Sequence, residues 1–466
     1  MDKRLLAGTT AALILAGCAT PPPIDPSALP RTPAAFKEEA PAFKVIAAPP
    51  ASGEWWTVFQ DPVLDDLVKR ADRGNTSVRI AAARLTQARA LLREADAERL
   101  PQVNAAASAQ RGDGLTVTSL PPGRPLTLYS AGANVSWEAD LFGKLRRAAE
   151  AAELDARASE RLLANTRLVI EADVAQSYLA LRALDEERAL VRQTVGAYRR
   201  TLDLTERRYR AGDVAELDVA RATTQVAATE AEALALDRRR AELEHAIAVL
   251  VGEVPSGFAI AEAPWGSTLP AIPAGLPAEV LARRPDIAAA QASMLAAQAR
   301  VGVAKAAWFP DIALTGAGGV ASPKLSDLFL YSARAWSLGA LATLPIFDGG
   351  RREAGVRFAS GEMDAAVAQY REHVLVAVRD VEDQLAALRL LAQQGDAERR
   401  AVDAAARATA LSERRWQEGL VSQLELLDAQ RSELADRRAA VEVKSARYQA
   451  TVGLVRALGG GWEARS

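Results

Sequence analysis

The sequence predicts a mainly α-helical chain that also supplies strands to a membrane β-barrel, built as two copies of one unit. Three observations predict this. Gly212 in RRYRAGDVAELDVARATTQ and Gly419 in RRWQEGLVSQLELLDAQRS lie 207 residues apart, as do Leu217 and Leu424, and a fixed offset of that size marks an internal repeat. Within each copy a run of helical composition continues far beyond the length of an ordinary globular helix. Ahead of each run, apolar residues alternate with small or polar ones at period two, the mark of strands with one apolar face.

The elements follow in order. Lys3 and Arg4 precede the apolar stretch Leu5 to Leu15, which is too short to span a bilayer and fits a secretory h-region. Residues 1–17 therefore read as a signal peptide, and LAGC at its end looks like a lipobox that makes Cys18 the lipidated mature N-terminus. Cys18 is the only cysteine, so no disulfide framework is available. Resemblance to bacterial lipoproteins implies outer-membrane sorting, because Ala19 is not an inner-membrane retention aspartate. Residues 18–53, with PPPIDPSALPRTP, read as an extended Pro-rich tether.

The first repeat is placed at 54–251, an inter-repeat linker at 252–276, the second repeat at 277–458 and a tail at 459–466. A helical run from about Val63 to Arg99 stops at Pro101, and its counterpart from Ala278 to Ala307 stops at Pro310. In YSAGANVSWEADL, Tyr129, Ala131, Ala133, Val135, Trp137, Ala139 and Leu141 share one face. Trp336, Leu338, Ala340, Ala342, Leu344 and Ile346 do the same in the second copy. Weaker versions begin at Val103, Ala105, Ala107 and Ala109, and at Ile312 and Leu314. A half-buried sheet in a soluble protein also alternates, so alternation alone leaves both readings open. Four strands cannot close a barrel, since the smallest has about eight, so a barrel requires several chains.

Helical runs then extend from about Leu145 to Arg208 and from Arg352 to Arg415. At 1.5 Å per residue each is roughly 90 to 100 Å long. After turns at Gly212 and Gly419, return helices reach about Leu250 and Leu458. Leu424, Leu427, Arg431, Leu434, Arg438, Val441, Ser445, Tyr448, Val452 and Val455 step by 3 and 4, a heptad seam. Leu217, Ala220, Thr224, Ala227, Ala231 and Leu234 repeat that spacing in the first copy. Two antiparallel coiled-coil hairpins are expected.

Composition narrows the function. The hydrophobic fraction is 49%, mostly Ala, Leu and Val, with only 5% aromatic residues, which favours closely packed helices over a bulky core. Charges nearly cancel, 57 basic against 59 acidic, which leaves no nucleic-acid footprint and reads as solvated helix faces. His245 and His373, the only histidines, lie on different helices without metal-ligand spacing. LGGGW has no following helix to cradle a phosphate. No enzyme activity and no cofactor are expected.

In its lipobox, WWTVFQDPVLDDLVKRA (Trp55 to Ala71), DLFGKLR, RRPDI (Arg283 to Ile287), AAWFPDI, PIFDGGR, LLDAQR and ALGGGW, in that order, the chain resembles the TolC-like outer membrane efflux proteins. It is closest to their lipoprotein subfamily, the NodT or OprM-like factors of multidrug efflux pumps. The resemblance implies a homotrimer. Its four strands per chain make a 12-stranded barrel, continued by a periplasmic α-helical barrel. It also implies a periplasmic adaptor and an inner-membrane pump of the proton-driven RND or ATP-driven ABC type as partners. The chain is then a passive duct for drugs or other small toxic compounds. A duct for type I protein secretion and a structural coiled-coil lipoprotein without a pore are the competing readings. The lipobox weighs against the first and the strand alternation against the second.

The resemblance assigns roles to the tips. Asp218, Glu425 and Asp428 lie just past the turns, where acids also suit a helix N-terminus, and the family places an acidic constriction there. Glu425 and Asp428 share a helix face. Trp416 and Arg431 are expected at the same gate. Trp416 stands where the family commonly has tyrosine, and Val421 where some members carry arginine, so closure here needs other groups, Asp428 with Arg431 among them. Gly212, Val214, Gly419, Leu420 and Val421 match the tip residues that meet adaptors.

Overall fold

The computed structural model describes residues 20, 22–38, 53–112, 125–273, 275 and 277–461. Cys18 and Trp462 lie outside the described residues. In order, the elements are α1 (Pro62–Gly74), α2 (Thr76–Glu98), β1 (Gln102–Gly112), β2 (Leu126–Glu138), α3 (Lys144–Arg210) and α4 (Glu216–Val251). The second copy follows with α5 (Pro277–Arg283), α6 (Pro285–Ala306), β3 (Asp311–Ser322), β4 (Arg334–Thr343), α7 (Arg351–Gln417) and α8 (Gln423–Ala457). Helices α3 and α7 have 67 residues each. No described helix is long and apolar enough to cross a membrane.

Two expected helices are each broken once. The run from Val63 to Arg99 divides at Asn75, because Gly74 lies against the end of α4. A Cβ on Gly74 would sit 2.4 Å from the Val251 carbonyl, and one on Gly252, at φ +80°, 2.2 Å from the Gly74 carbonyl. Asn75 then caps α2, accepting from the Ser77 and Val78 N–H groups while its amide donates to the Leu250 carbonyl at 2.7 Å. The run from Ala278 to Ala307 divides at Arg284, since Pro285 is tolerated only at a helix start. Arg284 spans the break, bonding Asp286 at 2.7 Å and the Ala457 carbonyl at 3.0 Å.

Contacts group the chain into two units. The first takes Ala83–Glu160, Ala289–Glu372 and the described residues up to Leu29. Its strands form one antiparallel sheet in the order β1-β2-β3-β4, with β1 and β4 at open edges. Trp336, Gly318, Ala133 and Ala105 pair in one row, and Leu338, Gly316, Val135 and Val103 in the next. The register therefore gathers all four expected apolar stripes on one face of the sheet. Asn104, Asn134, Ala317 and Ser337 share the other, where the Ser108 and Ser130 hydroxyls lie 2.8 Å apart. Strands β2 and β4 stop before Leu141 and Ile346, because the chain must turn into the long helices. Asp140 caps α3 at the Leu145 and Arg146 N–H groups, and Asp348 does the same for α7 at Gly350 and Arg352.

Aromatic rings mark both ends of the sheet. Trp137 donates to the Arg99 carbonyl at 2.9 Å, Phe142 stacks on Phe309 at 4.8 Å, and Arg352 lies over Trp308. At the far end Arg334 lies over Tyr331, beside the row that holds Tyr129. The described part of the Pro-rich segment is not extended throughout, because Asp25 caps a short 3-10 turn at Pro26–Ala28, and it is strapped down. Prolines cannot donate, so side chains donate to its carbonyls: Gln298 to Pro22 and Arg371 to Ala28.

The second unit takes Pro30–Ala82, Arg161–Ala288 and His373–Ser466, within the described residues. Its core joins Trp55, Phe59, Leu64 and Leu67 to Tyr178, Leu181, Ile247, Val452 and Leu454. Four charges expected to be solvated are buried instead. Arg182, Arg188 and Arg240 converge on Asp185, and the arginines also serve the linker, Arg182 at the Ala261 carbonyl and Arg240 at Ile260. An irregular segment laid on helices leaves carbonyls that need donors, and guanidinium groups supply them. His245 and His373 are exposed helix residues.

The return helices pack differently from expectation. In α8 the expected seam is largely covered, with Leu427, Tyr448, Val452 and Val455 buried. In α4 the expected seam is exposed throughout, and Ala222, Val226, Thr229, Leu236 and Arg240 face inward. An Ala-rich helix carries more than one apolar stripe, and spacing alone does not choose between them.

Candidate functional site

The hairpin turns repeat bond for bond. Gly212 (φ +85°) donates to the Tyr209 carbonyl at 2.9 Å and Asp213 to Arg208 at 2.9 Å. Gly419 (φ +75°) donates to Trp416 at 3.0 Å and Leu420 to Arg415 at 2.8 Å. This is the glycine-terminated helix end in which a left-handed residue satisfies the last carbonyls. A Cβ on either glycine would meet nothing within 4 Å, so φ alone demands glycine there. Leu420 is exposed, while Val214 and Val421 are half-buried.

Past the turns the copies diverge. Ser422 caps α8, its hydroxyl accepting from the Glu425 N–H at 3.3 Å, whereas Ala215 at the same place offers α4 no side-chain cap. Asp218, half-buried, lies 3.8 Å from Arg221 on its own helix. Glu425 is exposed and has no ion pair among the described residues. Asp428 is exposed and 3.6 Å from Arg431 of its own helix. Arg431 reaches further, its Nε donating to Gln225 Oε1 on α4 at 2.5 Å. The chain thus brings Asp428 and Arg431 together and ties them to the first hairpin through Gln225, while among the described residues Asp218 pairs with Arg221 of its own helix.

Trp416 is buried, and its partner is one the sequence reading missed. The Arg208 guanidinium lies 4.8 Å from the Trp416 ring centre. It donates to the Trp416 and Gln417 carbonyls at 3.4 and 3.2 Å. One cation therefore holds the ring and the last turn of α7 at once. Gln225 was missed as well. A signal for the first existed: Tyr209 is the repeat counterpart of Trp416, which puts Arg208 beside the matching position.

Comparison with known proteins decides what this arrangement belongs to. The family model described as outer membrane efflux protein matches residues 67–253 and 276–460. The chain belongs to the outer membrane efflux protein family. The pyoverdine export outer membrane protein OpmQ of Pseudomonas aeruginosa is 34% identical, over 99% of this chain and 98% of that protein. The probable outer membrane lipoprotein SilC of Salmonella typhimurium is 30% identical over 99% and 100%. The structure of the outer-membrane channel OprN superposes with a TM-score of 0.87 at 33% identity, covering 96% of this chain and all of that one. This outer membrane efflux protein is accordingly an efflux channel of the outer membrane and not an enzyme. Its fold is the TolC-like one, helical with a barrel-forming sheet.

Proposed function

We propose that three copies assemble into a passive duct, anchored by lipid on Cys18, that carries drugs or other small toxic compounds out of the periplasm. The observation that carries this reading is the sheet. Its four strands are open at both edges and its apolar stripes fall in register on one face, so one chain supplies a third of a twelve-stranded barrel. Eight residues separate Tyr129 from Trp137 along β2, which for a tilted strand is roughly 20 Å, near the height of an outer-membrane apolar band.

In this reading the tip residues Gly212, Val214, Gly419, Leu420 and Val421 meet a periplasmic adaptor, which couples the duct to an inner-membrane pump of the RND or ABC type. Efflux-family membership and the identical turn geometry of the two tips support it. Tryptophan at Val214 and Leu420 should abolish drug resistance while leaving membrane trimers intact; unchanged resistance would refute adaptor contact at these residues.

Asp218, Glu425 and Asp428 form an acidic constriction that attracts cations, with Arg431 and Trp416 holding it closed. Single-channel recordings of the Glu425→Gln/Asp428→Asn variant in planar bilayers test this. Cation selectivity and block by polyvalent cations should fall severalfold. Unaltered selectivity would remove the acids from the pore lining.

A further inference from the structure

The apolar face of the sheet finishes on positive charges at one end. Side chains alternate along a strand, so the residue two positions beyond the last apolar one still points to the same side. On β1 that residue is Arg111, which follows Val103, Ala105, Ala107 and Ala109 and pairs with Thr127 of β2. On β4 it is Arg334, which precedes Trp336 and Leu338 and pairs with Val320 of β3. Lys324, in extended backbone two residues past Ser322, continues the stripe of β3. The stripe of β2 alone ends on a neutral residue, Thr127.

These charges lie at the end away from the long helices, where the chain turns from β1 to β2 and from β3 to β4. In the reading above the helices occupy the periplasm, so these turns face the outside of the cell. All three cations are exposed, and among the described residues none has an ion pair. The opposite end of the sheet is built differently. There Lys144 bonds Glu138 and Asp311 at 3.0 and 3.1 Å, and Arg352 bonds Asp348 at 2.6 Å. The described acid of the outer turns, Asp327, is half-buried and accepts from the Ser326 hydroxyl at 2.9 Å. The β1–β2 connection, outside the described residues, contains one charge of each sign, Asp113 and Arg124, and leaves the excess unchanged. The chain thus pairs its cations where the sheet meets the helices and leaves them unpaired where it meets the outside.

Aromatic rings mark the depth of these charges. Phe329 and Tyr331 are 83% and 81% exposed in the outer turn, and the Arg334 guanidinium lies 4.8 Å from the Tyr331 ring centre. An arginine stacked on an exposed ring at the end of an apolar face sits where hydrocarbon gives way to headgroups, and there its charge costs little. Guanidinium groups match phosphate oxygens through paired hydrogen bonds, and an ammonium adds a point charge.

We propose that Arg111, Lys324 and Arg334 hold the phosphate groups of a glycolipid in the outer leaflet. The bound lipid supplies the anions that the chain itself withholds at this end. The proposal rests on the reading of the sheet as a barrel wall whose apolar face meets lipid.

Native mass measurement of the full-length assembly in detergent tests it, with titration of lipid A carrying two phosphates or none and a chelator present to remove bridging divalent cations. Wild type should hold the diphosphorylated lipid about tenfold more tightly than the dephosphorylated one, and Arg111→Gln/Lys324→Gln/Arg334→Gln should lose that preference. Arg200→Gln, at an exposed arginine of α3 without an ion pair among the described residues, should keep it. Arg334→Gln alone should lower the preference severalfold and serves if the triple variant does not assemble. Equal binding of the two lipids by wild type, or an undiminished preference in variants of correct assembly mass, would overturn the site and leave the barrel standing. Displacement of the lipid by millimolar inorganic phosphate would overturn the lipid assignment in favour of a free anion. Wild-type protein absent from the outer-membrane fraction would overturn the barrel reading itself.

Discussion

At the first hairpin tip Tyr209 is solvent-exposed, Ala215 leaves α4 uncapped and Asp218 has Arg221 for company. At the second, Trp416 is buried under Arg208, Ser422 caps α8, and Glu425 stands without an ion pair among the described residues. The turns themselves match hydrogen bond for hydrogen bond. The duplicated backbone is therefore held by glycine conformation and main-chain bonding, which leaves the side chains around it free to specialise. The first tip supplies the arginine and the second the surface it grips.

The asymmetry can be broken at three places, in order of expected effect. Away from the tips, Glu171 accepts a 2.8 Å hydrogen bond from Trp55 where the second copy has Val378. Burial pushes the Glu171 carboxyl up to about 7, nearby Asp72 adding to the rise and Trp55 and Arg167 opposing it. Between the ordinary carboxylate range and pH 7 the folded chain holds a proton that the unfolded chain has lost, so stability falls as pH rises through that window. The loss amounts to about 3 kcal/mol at most. Glu171→Gln keeps an acceptor for Trp55 without the charge and should flatten this slope in denaturant titrations from pH 4.5 to 8. A slope equal to wild type would assign the pH dependence elsewhere.

Arg208→Ala removes the clasp between the tips. The lost cation–π contact and two long hydrogen bonds total about 2 kcal/mol, more than tenfold in an open–closed equilibrium. Single-channel open probability should rise accordingly, while Arg415→Ala, the repeat counterpart, changes it little. Equal effects from the two would erase the distinction between the tips. The smallest effect belongs to the caps. Ser422→Ala should lower stability by about 1 kcal/mol and Ala215→Ser should raise it by a similar amount, both read by chemical denaturation.

Much of this was legible in the sequence because it depends on local rules. Both prolines stop their helices, both glycines turn the hairpins, and the period-two stripes of β2 and β4 fall on one face of the sheet. What escaped depends on tertiary partners. Nothing in the sequence around Gly74 announces that Val251 presses against it, and an Ala-rich α4 has two stripes that satisfy the same spacing. Arg182, Arg188 and Arg240 look like any surface arginines until the linker carbonyls are laid over them. At the hairpin tips, spacing found Asp428 with Arg431, an i,i+3 pair, and missed Arg208 with Trp416, which are far apart in the chain.

The open strands β1 and β4 carry a consequence for biogenesis. Until a neighbour arrives, each chain exposes two rows of unpaired backbone groups, the template on which proteins misassociate. In the proposed trimer, barrel completion is a concentration-dependent event shared between chains, and one damaged edge affects all three. In the proposed ring of three, a chain with an unpairable edge expressed equally with the normal one would leave roughly one assembly in eight intact. Loss of function at a single edge would therefore act as a dominant poison of the whole pore.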